Sequence, residues 1–217
     1  MTPFKYHLDK LEPGRVKVPR AIHRGGWLLA FGALLSACAQ PMLNSERIER
    51  QFSSYGVEVL ESSGSQRMTN LYSLDGERKI CRTLALVIFE DSSNVAITAE
   101  HQQVTAGGSI GAVFKKNGWT IIKINLHMGP VTVTARAGLV TRLMDLPLPT
   151  ELAMHVYRFQ LRRGDERVNY AIITEIHHPD YLSIERLESL YGAFPSESLS
   201  GPALAAIETE VRRTLLR

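Results

Sequence analysis

The pattern of apolar and polar positions divides the chain into a strand-rich middle and helical ends. From Val57 onward, β-branched and aromatic residues dominate about 120 positions. Turn-forming residues interrupt this stretch at Ser62–Ser65, Asp75-Gly76, Asp91–Asn94, Gly107-Gly108, Asn117-Gly118, Gly129-Pro130 and Gly164-Asp165. Such spacing is typical of an antiparallel sheet. The pattern therefore predicts an α+β fold, with a mostly antiparallel, curved β-sheet, an N-terminal helix and two C-terminal helices.

Two hairpins are predicted within the sheet. In the first, residues 110–126, Asn117-Gly118 lies between two alternating runs and suits a type I′ turn. The second joins residues 154–161 to residues 167–177 through a turn at 162–166. On its return strand, alternation places one set of side chains on a shared face: Val168, Tyr170, Ile172, Thr174 and Ile176. Residues 135–145 show no clean period and are left unassigned.

Helices are predicted at both ends of the sheet region. The first covers residues 45–52 behind a cap at Asn44 or Ser45, and the second covers residues 182–190. The last begins near Pro202 and has one apolar stripe, formed by Leu204, Ile207, Val211 and Leu215. This stripe predicts packing on the sheet of the same chain, with the groove of a partner as the alternative.

The start of the chain has the order of an export signal. An apolar run of 11 residues, 27–37, follows a basic segment and is shorter than the roughly 20 apolar residues that span a bilayer. The run ends in Leu35-Ser36-Ala37-Cys38, which resembles the lipobox of bacterial lipoproteins.

The resemblance implies cleavage between Ala37 and Cys38, with Leu35, Ser36 and Ala37 as the recognised residues. It also implies a diacylglyceryl thioether on Cys38 and usually a third acyl chain on its amine. Ala39, where Asp would retain the protein in the inner membrane, implies sorting to the outer membrane. The alternative is an ordinary secretory signal beside a cysteine. We expect residues 1–37 to be removed, residues 38–44 to form a tether and residues 45–217 to form a single α+β domain.

The basic character of the chain belongs to this N-terminal segment. The full sequence has a net charge of +3, but residues 1–37 hold six of the 25 basic and two of the 22 acidic side chains, which leaves 19 and 20. A nearly neutral domain gives no reason to expect a nucleic-acid partner.

Cys81 and Ser109 are the candidate nucleophiles. Cys81 has no partner for an intrachain disulfide once Cys38 is lipidated, and its apolar surroundings in sequence predict burial in a strand. A reactive thiol beside Lys79 or Arg82 is the alternative. Ser109 lies in a G-x-S-x-G pattern, which needs a strand-to-helix turn to present the hydroxyl. The predicted hairpin leaves no room for that helix.

Ligand-type side chains cluster at the end of the last predicted strand: Glu175, His177, His178 and Asp180. Glu175 and His177 would share a strand face, but a catalytic metal site usually takes three protein ligands. The remaining candidates, His101, His127 and His155, are scattered along the sequence. We therefore expect no metal ion and no cofactor, and interpret this segment as a strand end followed by the start of a helix.

The second hairpin carries Arg163-Gly164-Asp165, a tripeptide that integrins bind, at its tip. Gly and Asp are also common in turns. We therefore favour a solvated hairpin end over a headgroup-binding cluster formed by Arg158, Arg162, Arg163 and Arg167.

Together these observations predict a non-enzymatic lipoprotein. Acyl chains on Cys38 would hold it at the periplasmic face of the outer membrane, where it would bind a protein partner or an apolar or lipid ligand. The alternative is a membrane-anchored hydrolase that uses Ser109 or Cys81 as nucleophile.

Overall fold

A computed structural model describes residues 42–134, 138–192 and 201–214. The strands are β1 (Gly56–Ser62), β2 (Gln66–Asp75), β3 (Arg78–Phe89), β4 (Thr120–Val133), β5 (Thr150–Arg163) and β6 (Glu166–His177). The helices are α1 (Asn44–Phe52), α2 (Thr98–Thr105), α3 (Ile110–Lys116), α4 (Leu139–Met144), α5 (Ile184–Tyr191) and α6 (Gly201–Thr214), with a short 3-10 helix at Val95–Ile97. The predicted α+β class, the antiparallel sheet and the helices at both ends are confirmed.

The six strands form one antiparallel sheet in the order β1-β2-β3-β6-β5-β4. Strands β1 to β3 and strands β4 to β6 each pair in chain order, and the pairing of β3 with β6 joins these two halves. Thr83 on β3 lies opposite His177 on β6 at this junction. The centre of the sheet is therefore built from both halves of the described chain.

Helices cover both faces of the sheet. The first face, which includes Ala85, Tyr157 and Ile173, packs against apolar residues of the 3-10 helix, α2 and α3 and, further along, of α1 and α5. The second face, which includes Leu84 and Ile176, packs against α4 and α6. Because strand residues alternate between the faces, each strand contributes to two separate apolar layers.

The first predicted hairpin is wrong, because residues 110–116 form helix α3 rather than a strand. Its apolar residues Ile110, Val113 and Phe114 have the i, i+3, i+4 spacing of one helix face, and the Phe114 side chain is completely buried. Asn117 and Gly118 end the helix, with Gly118 at a φ of 79° and Asn117 Nδ2 donating to Val113 O at 2.8 Å. The Asn-Gly pair thus stops a helix instead of turning a hairpin.

The second predicted hairpin is confirmed as β5 and β6, but the shared face of its return strand is wrong beyond Tyr170. Phe159 pairs with Ala171 and Gln160 pairs with Asn169, so Tyr170 is an extra residue in β6. Such a bulge moves the following side chains to the opposite faces. The first face therefore receives Ala171, Ile173, Glu175 and His177, and the second face receives Ile172 and Ile176.

The helices at the two ends pack on the sheet of their own chain. In α6, Val211 is buried against the second face and Ile207 packs beside it, as the apolar stripe predicts. Leu43 and Asn44, at the end of the expected tether, are also buried. Within the described ranges, none of the helices has the length and apolar character needed to cross a bilayer.

Candidate functional site

A group of buried polar side chains separates the two apolar clusters of the first face. His155 on β5 lies directly opposite Glu175 on β6, and His177 follows two residues along the same strand. The exposed fraction of each of these three residues is at most 4%. We call His155, Glu175 and His177 the buried triad.

The Glu175 carboxylate is fixed through one of its two oxygens. Its Oε1 accepts hydrogen bonds from Asn44 Nδ2 at 2.6 Å and from the Tyr157 hydroxyl at 3.0 Å. Its Oε2 lies 3.9 Å from Lys123 Nζ and 3.8 Å from His177 Nε2, beyond hydrogen-bond distance. Burial alone would raise the pKa of Glu175, but the positive charge of Lys123 and the hydrogen bond from Asn44 act in the opposite direction, and the pKa is lowered.

Each histidine of the buried triad is oriented by one hydrogen bond. His155 Nε2 lies 2.9 Å from Asn125 Oδ1, and His177 Nδ1 lies 2.9 Å from Thr83 Oγ1. Burial lowers the pKa of His155 to about 3, and the Lys123 charge adds to this effect. Burial also lowers the pKa of His177 to about 4, although Glu175 opposes the shift. Both imidazoles are therefore neutral at pH 7.

A cavity of about 70 Å³ adjoins the triad on the first face, between the sheet and helices α1 and α3. Its polar lining residues include Asn44, Arg67, Ser109, Lys123, Tyr157 and Glu175, and its apolar ones include Leu43, Leu71, Val87, Phe159 and Ile173. Glu175 is the member of the buried triad that lines the cavity.

Arg67 brings a second buried cation to this cavity. Its side chain is almost completely buried, and its Nη1 donates to the carbonyl oxygens of Val104 at 2.8 Å and Gly108 at 2.9 Å. Its Nε has no hydrogen-bond partner, and no carboxylate of the described chain forms an ion pair with it. Burial lowers the pKa of Arg67, which is the direction expected for a cation without a counter-charge.

The two candidate nucleophiles do not meet a histidine. Ser109 precedes α3 and lines the cavity, so the expectation that a hairpin leaves no room for a helix after Ser109 is wrong. The element before Ser109 is helix α2 and not a strand. Cys81 is fully buried in the second face. In residues 42–134, 138–192 and 201–214, no hydrogen bond joins Ser109 Oγ or Cys81 Sγ to a histidine. Burial raises the pKa of the Cys81 thiol well above its usual range, so the predicted burial of this cysteine is confirmed and the reactive thiolate is disfavoured.

The other histidines and acids of the sequence candidates lie elsewhere. His178 Nε2 lies 3.2 Å from Met144 O. His178 Nδ1 accepts a hydrogen bond from the Asp180 backbone N–H at 3.1 Å. It therefore faces α4 and the turn before α5, as the interpretation of a strand end and helix start predicts. His101 on α2 contacts the Tyr170 hydroxyl at 2.9 Å.

The arginines at the tip of the second hairpin are partly paired with acids. Arg158 lies 3.2 Å from Glu90, and Arg163 lies 3.6 Å from Glu100 and 3.4 Å from Glu166. These pairs favour a structural role for the hairpin tip. The lipobox residues Leu35, Ser36, Ala37 and Cys38 lie outside the described residues.

Comparisons with known proteins supply no argument about the function of this chain. No protein-family model matches the chain, and no curated protein matches it either. Among solved structures, the chain is similar to the crystal structure of PhnF C-terminal domain, with a TM-score of 0.38 and 15% sequence identity over 61% of this chain and 88% of that chain. A likeness at this level carries no argument about function.

Proposed function

We propose that this chain is a lipid-anchored protein of the bacterial cell envelope whose domain binds a small organic anion and catalyses no reaction. The anchor is proposed from the lipobox resemblance at Cys38, and the location at the periplasmic face of the outer membrane from Ala39. The observation that carries the binding proposal is Arg67, a buried guanidinium beside a cavity with an unpartnered Nε.

The charges around the cavity favour an anion. Lys123 and Glu175 lie 3.9 Å apart and offset each other, whereas Arg67 has only carbonyl oxygens as partners. A carboxylate would supply the missing negative charge. It would also accept a charge-assisted hydrogen bond from the guanidinium, which is stronger than a hydrogen bond between neutral groups. The ligand should also be small, because a dry cavity that holds benzene has about 150 Å³ and this one has about 70 Å³. An acyl chain is a poorer candidate for the same reason.

The hydrolase alternative, with Ser109 or Cys81 as nucleophile, has less support. A nucleophile of this kind needs an adjacent base, and no histidine bonds to either side chain in the described part of the chain. Ser109 could instead contribute a hydroxyl to ligand binding, because it lines the same cavity.

A thermal-shift experiment on the full-length chain in detergent tests the binding proposal. Acetate and lactate are the probes, and acetamide is the uncharged control with the shape of acetate. A ligand at 100 times its Kd should stabilise the wild type by about 2.7 kcal/mol. Arg67→Met should abolish this gain, whereas Arg78→Met, at an exposed arginine, should keep it. Equal effects of acetate and acetamide, or no effect of any probe on the wild type, would refute anion binding.

The anchor is tested by intact-mass analysis of the membrane-extracted protein. We expect the mass of residues 38–217 plus three acyl chains in the wild type, and loss of both cleavage at this site and acylation in Cys38→Ala. An unlipidated wild-type protein would remove the anchor from the proposal without affecting anion binding.

A further inference from the structure

Three buried polar atoms of the first face have no hydrogen-bond partner among the described residues. They are His155 Nδ1, Glu175 Oε2 and His177 Nε2, one from each member of the buried triad. A buried polar atom without a partner is costly and calls for an unseen partner. The three residues also lie close enough together that one ring nitrogen of each histidine and one carboxylate oxygen are all within 4.8 Å of one another.

The hydrogen bond made by the other ring nitrogen of each histidine determines whether the unpartnered nitrogen carries a lone pair. Asn125 Nδ2 donates to Tyr191 O at 2.9 Å, so Asn125 Oδ1 faces His155 and must accept from His155 Nε2–H. In a neutral imidazole the other nitrogen, Nδ1, then carries a lone pair. His177 Nδ1 can likewise donate to Thr83 Oγ1, which leaves a lone pair on Nε2. Ligand histidines in metal sites are held by such bonds.

The separation of these groups suits a small cation. One ring nitrogen of each histidine and one carboxylate oxygen, no more than 4.8 Å apart, fit a circle with a radius of about 2.8 Å, which is 4.8 Å divided by √3. The unpartnered Glu175 Oε2 and His177 Nε2 are 3.8 Å apart. Inward movements of less than about 1 Å would bring them to the roughly 2.0–2.2 Å of zinc–nitrogen and zinc–oxygen bonds. A single water would satisfy fewer of them, because it has two protons to donate to three acceptors.

We propose that His155, Glu175 and His177 bind one divalent first-row transition-metal ion, with a fourth position open toward the cavity that Glu175 lines. Two imidazoles and one carboxylate are a ligand set suited to zinc and to ferrous iron. The proposal departs from the sequence-based expectation of no metal. Its ligands do not include Arg67, on which anion binding rests, so the two proposals are tested with different variants.

The positive charge of Lys123 lies beside the proposed metal site and offers a further test of it. Its ammonium group lies 3.9 Å from Glu175 Oε2 and 4.1 Å from the centre of the Tyr157 ring. A bound dication would repel it, so metal binding requires Lys123 to turn away from the triad along the cavity. Removing this charge should strengthen metal binding.

The test is a metal titration of the full-length chain in detergent after treatment with a chelator. Zn²⁺ binding is measured by calorimetry, and Co²⁺ binding by the visible absorption that reports its ligand geometry. We expect one ion per chain. Glu175→Gln and His155→Gln should each weaken binding by more than about 100-fold, the upper range for losing a supporting residue. Thr83→Val should weaken it by about 10- to 100-fold, and Lys123→Met should tighten it at least about tenfold.

His127→Gln is the matched control, because His127 lies on β4 outside the buried triad and should leave binding unchanged. Circular dichroism at each step identifies any variant that has unfolded, and Thr83→Val retains all three ligands if the triad variants fail to fold. No binding by the wild type would overturn the proposal, as would binding that Glu175→Gln, His155→Gln and Thr83→Val all leave intact. Binding seen only in Lys123→Met would also overturn it, because the ammonium group would then fill the site in the natural protein.

Discussion

The burial of His177 makes the stability of the domain sensitive to mild acid. The pKa of this side chain falls from an ordinary 6.5 to about 4, chiefly through burial, with Lys123 and Arg47 adding to the shift and Glu175 opposing it. At pH 7.5 and above, the imidazole is almost entirely neutral in both the folded chain and the unfolded chain, where its pKa is 6.5. At lower pH the unfolded chain takes up the proton first, so the free energy of unfolding falls until the pH reaches about 4.

The size of this effect follows from proton linkage. At pH 5.0 the unfolded state gains about 2 kcal/mol from protonating His177, relative to pH 7.5, for pKa values of 6.5 and about 4. Glu175 does not contribute in this window, because its lowered pKa means that its stabilisation is lost only as the pH falls below its unfolded value of 4.5. The lowered pKa of His155 reduces the free energy of unfolding in acid in the same way. His155 is present in both of the proteins that are compared, so it does not account for a difference between them.

Urea unfolding of the wild type and of His177→Gln, followed by circular dichroism with a chelator present, measures the effect. Between pH 7.5 and pH 5.0, the free energy of unfolding should fall about 2 kcal/mol less in His177→Gln than in the wild type. Between pH 8.5 and pH 7.5, the two should show the same pH dependence, which serves as the control. An equal loss in both proteins down to pH 5.0 would refute the assignment of His177 as a buried neutral imidazole.

Three further predictions concern packing and reactivity. Phe114→Ala removes a fully buried ring that lies 4.7 Å from the ring centre of Tyr170 and should lower the free energy of unfolding by about 3–5 kcal/mol; a loss below 1 kcal/mol in urea unfolding would contradict the packing of α3. Val211→Ala should cost about 2 kcal/mol in the same measurement, because Val211 is buried against the second face, whereas an α6 that does not pack there would tolerate the change. In Cys38→Ala, Cys81 is the remaining thiol, and its burial predicts that iodoacetamide labels it only after urea is added; rapid labelling of the folded chain would show that β3 is open there.

The sequence predicts the sheet better than it predicts the site, because a strand signal is periodic and a site is a contact between distant segments. The second hairpin has a tight turn and two alternating strands, and both are present. The first hairpin fails because apolar residues at 110, 113 and 114 are compatible with a short helix face as well as with a two-sided strand.

The sequence places two of the three residues of the buried triad on the same strand face. Glu175 and His177 are two residues apart, so their shared face follows from alternation alone. Pairing across the turn at Gly164-Asp165 would place His155 opposite Thr174, and the bulge at Tyr170 moves its partner by one residue to Glu175. No sequence signal marks that bulge. Arg67 was missed because it stands alone in an alternating strand, where an arginine is ordinarily exposed.

The junction of β3 with β6 has a consequence for the order of events during folding. Glu175 bonds to Asn44, 131 residues earlier in the chain, and His177 bonds to Thr83, 94 residues earlier. Contacts of such high contact order form late, because the entropy of closing long loops opposes them. The triad therefore stays incomplete until β6 has paired with β3 and β5. An ion or ligand that needs all three residues would bind only after β6 had paired with both of these strands.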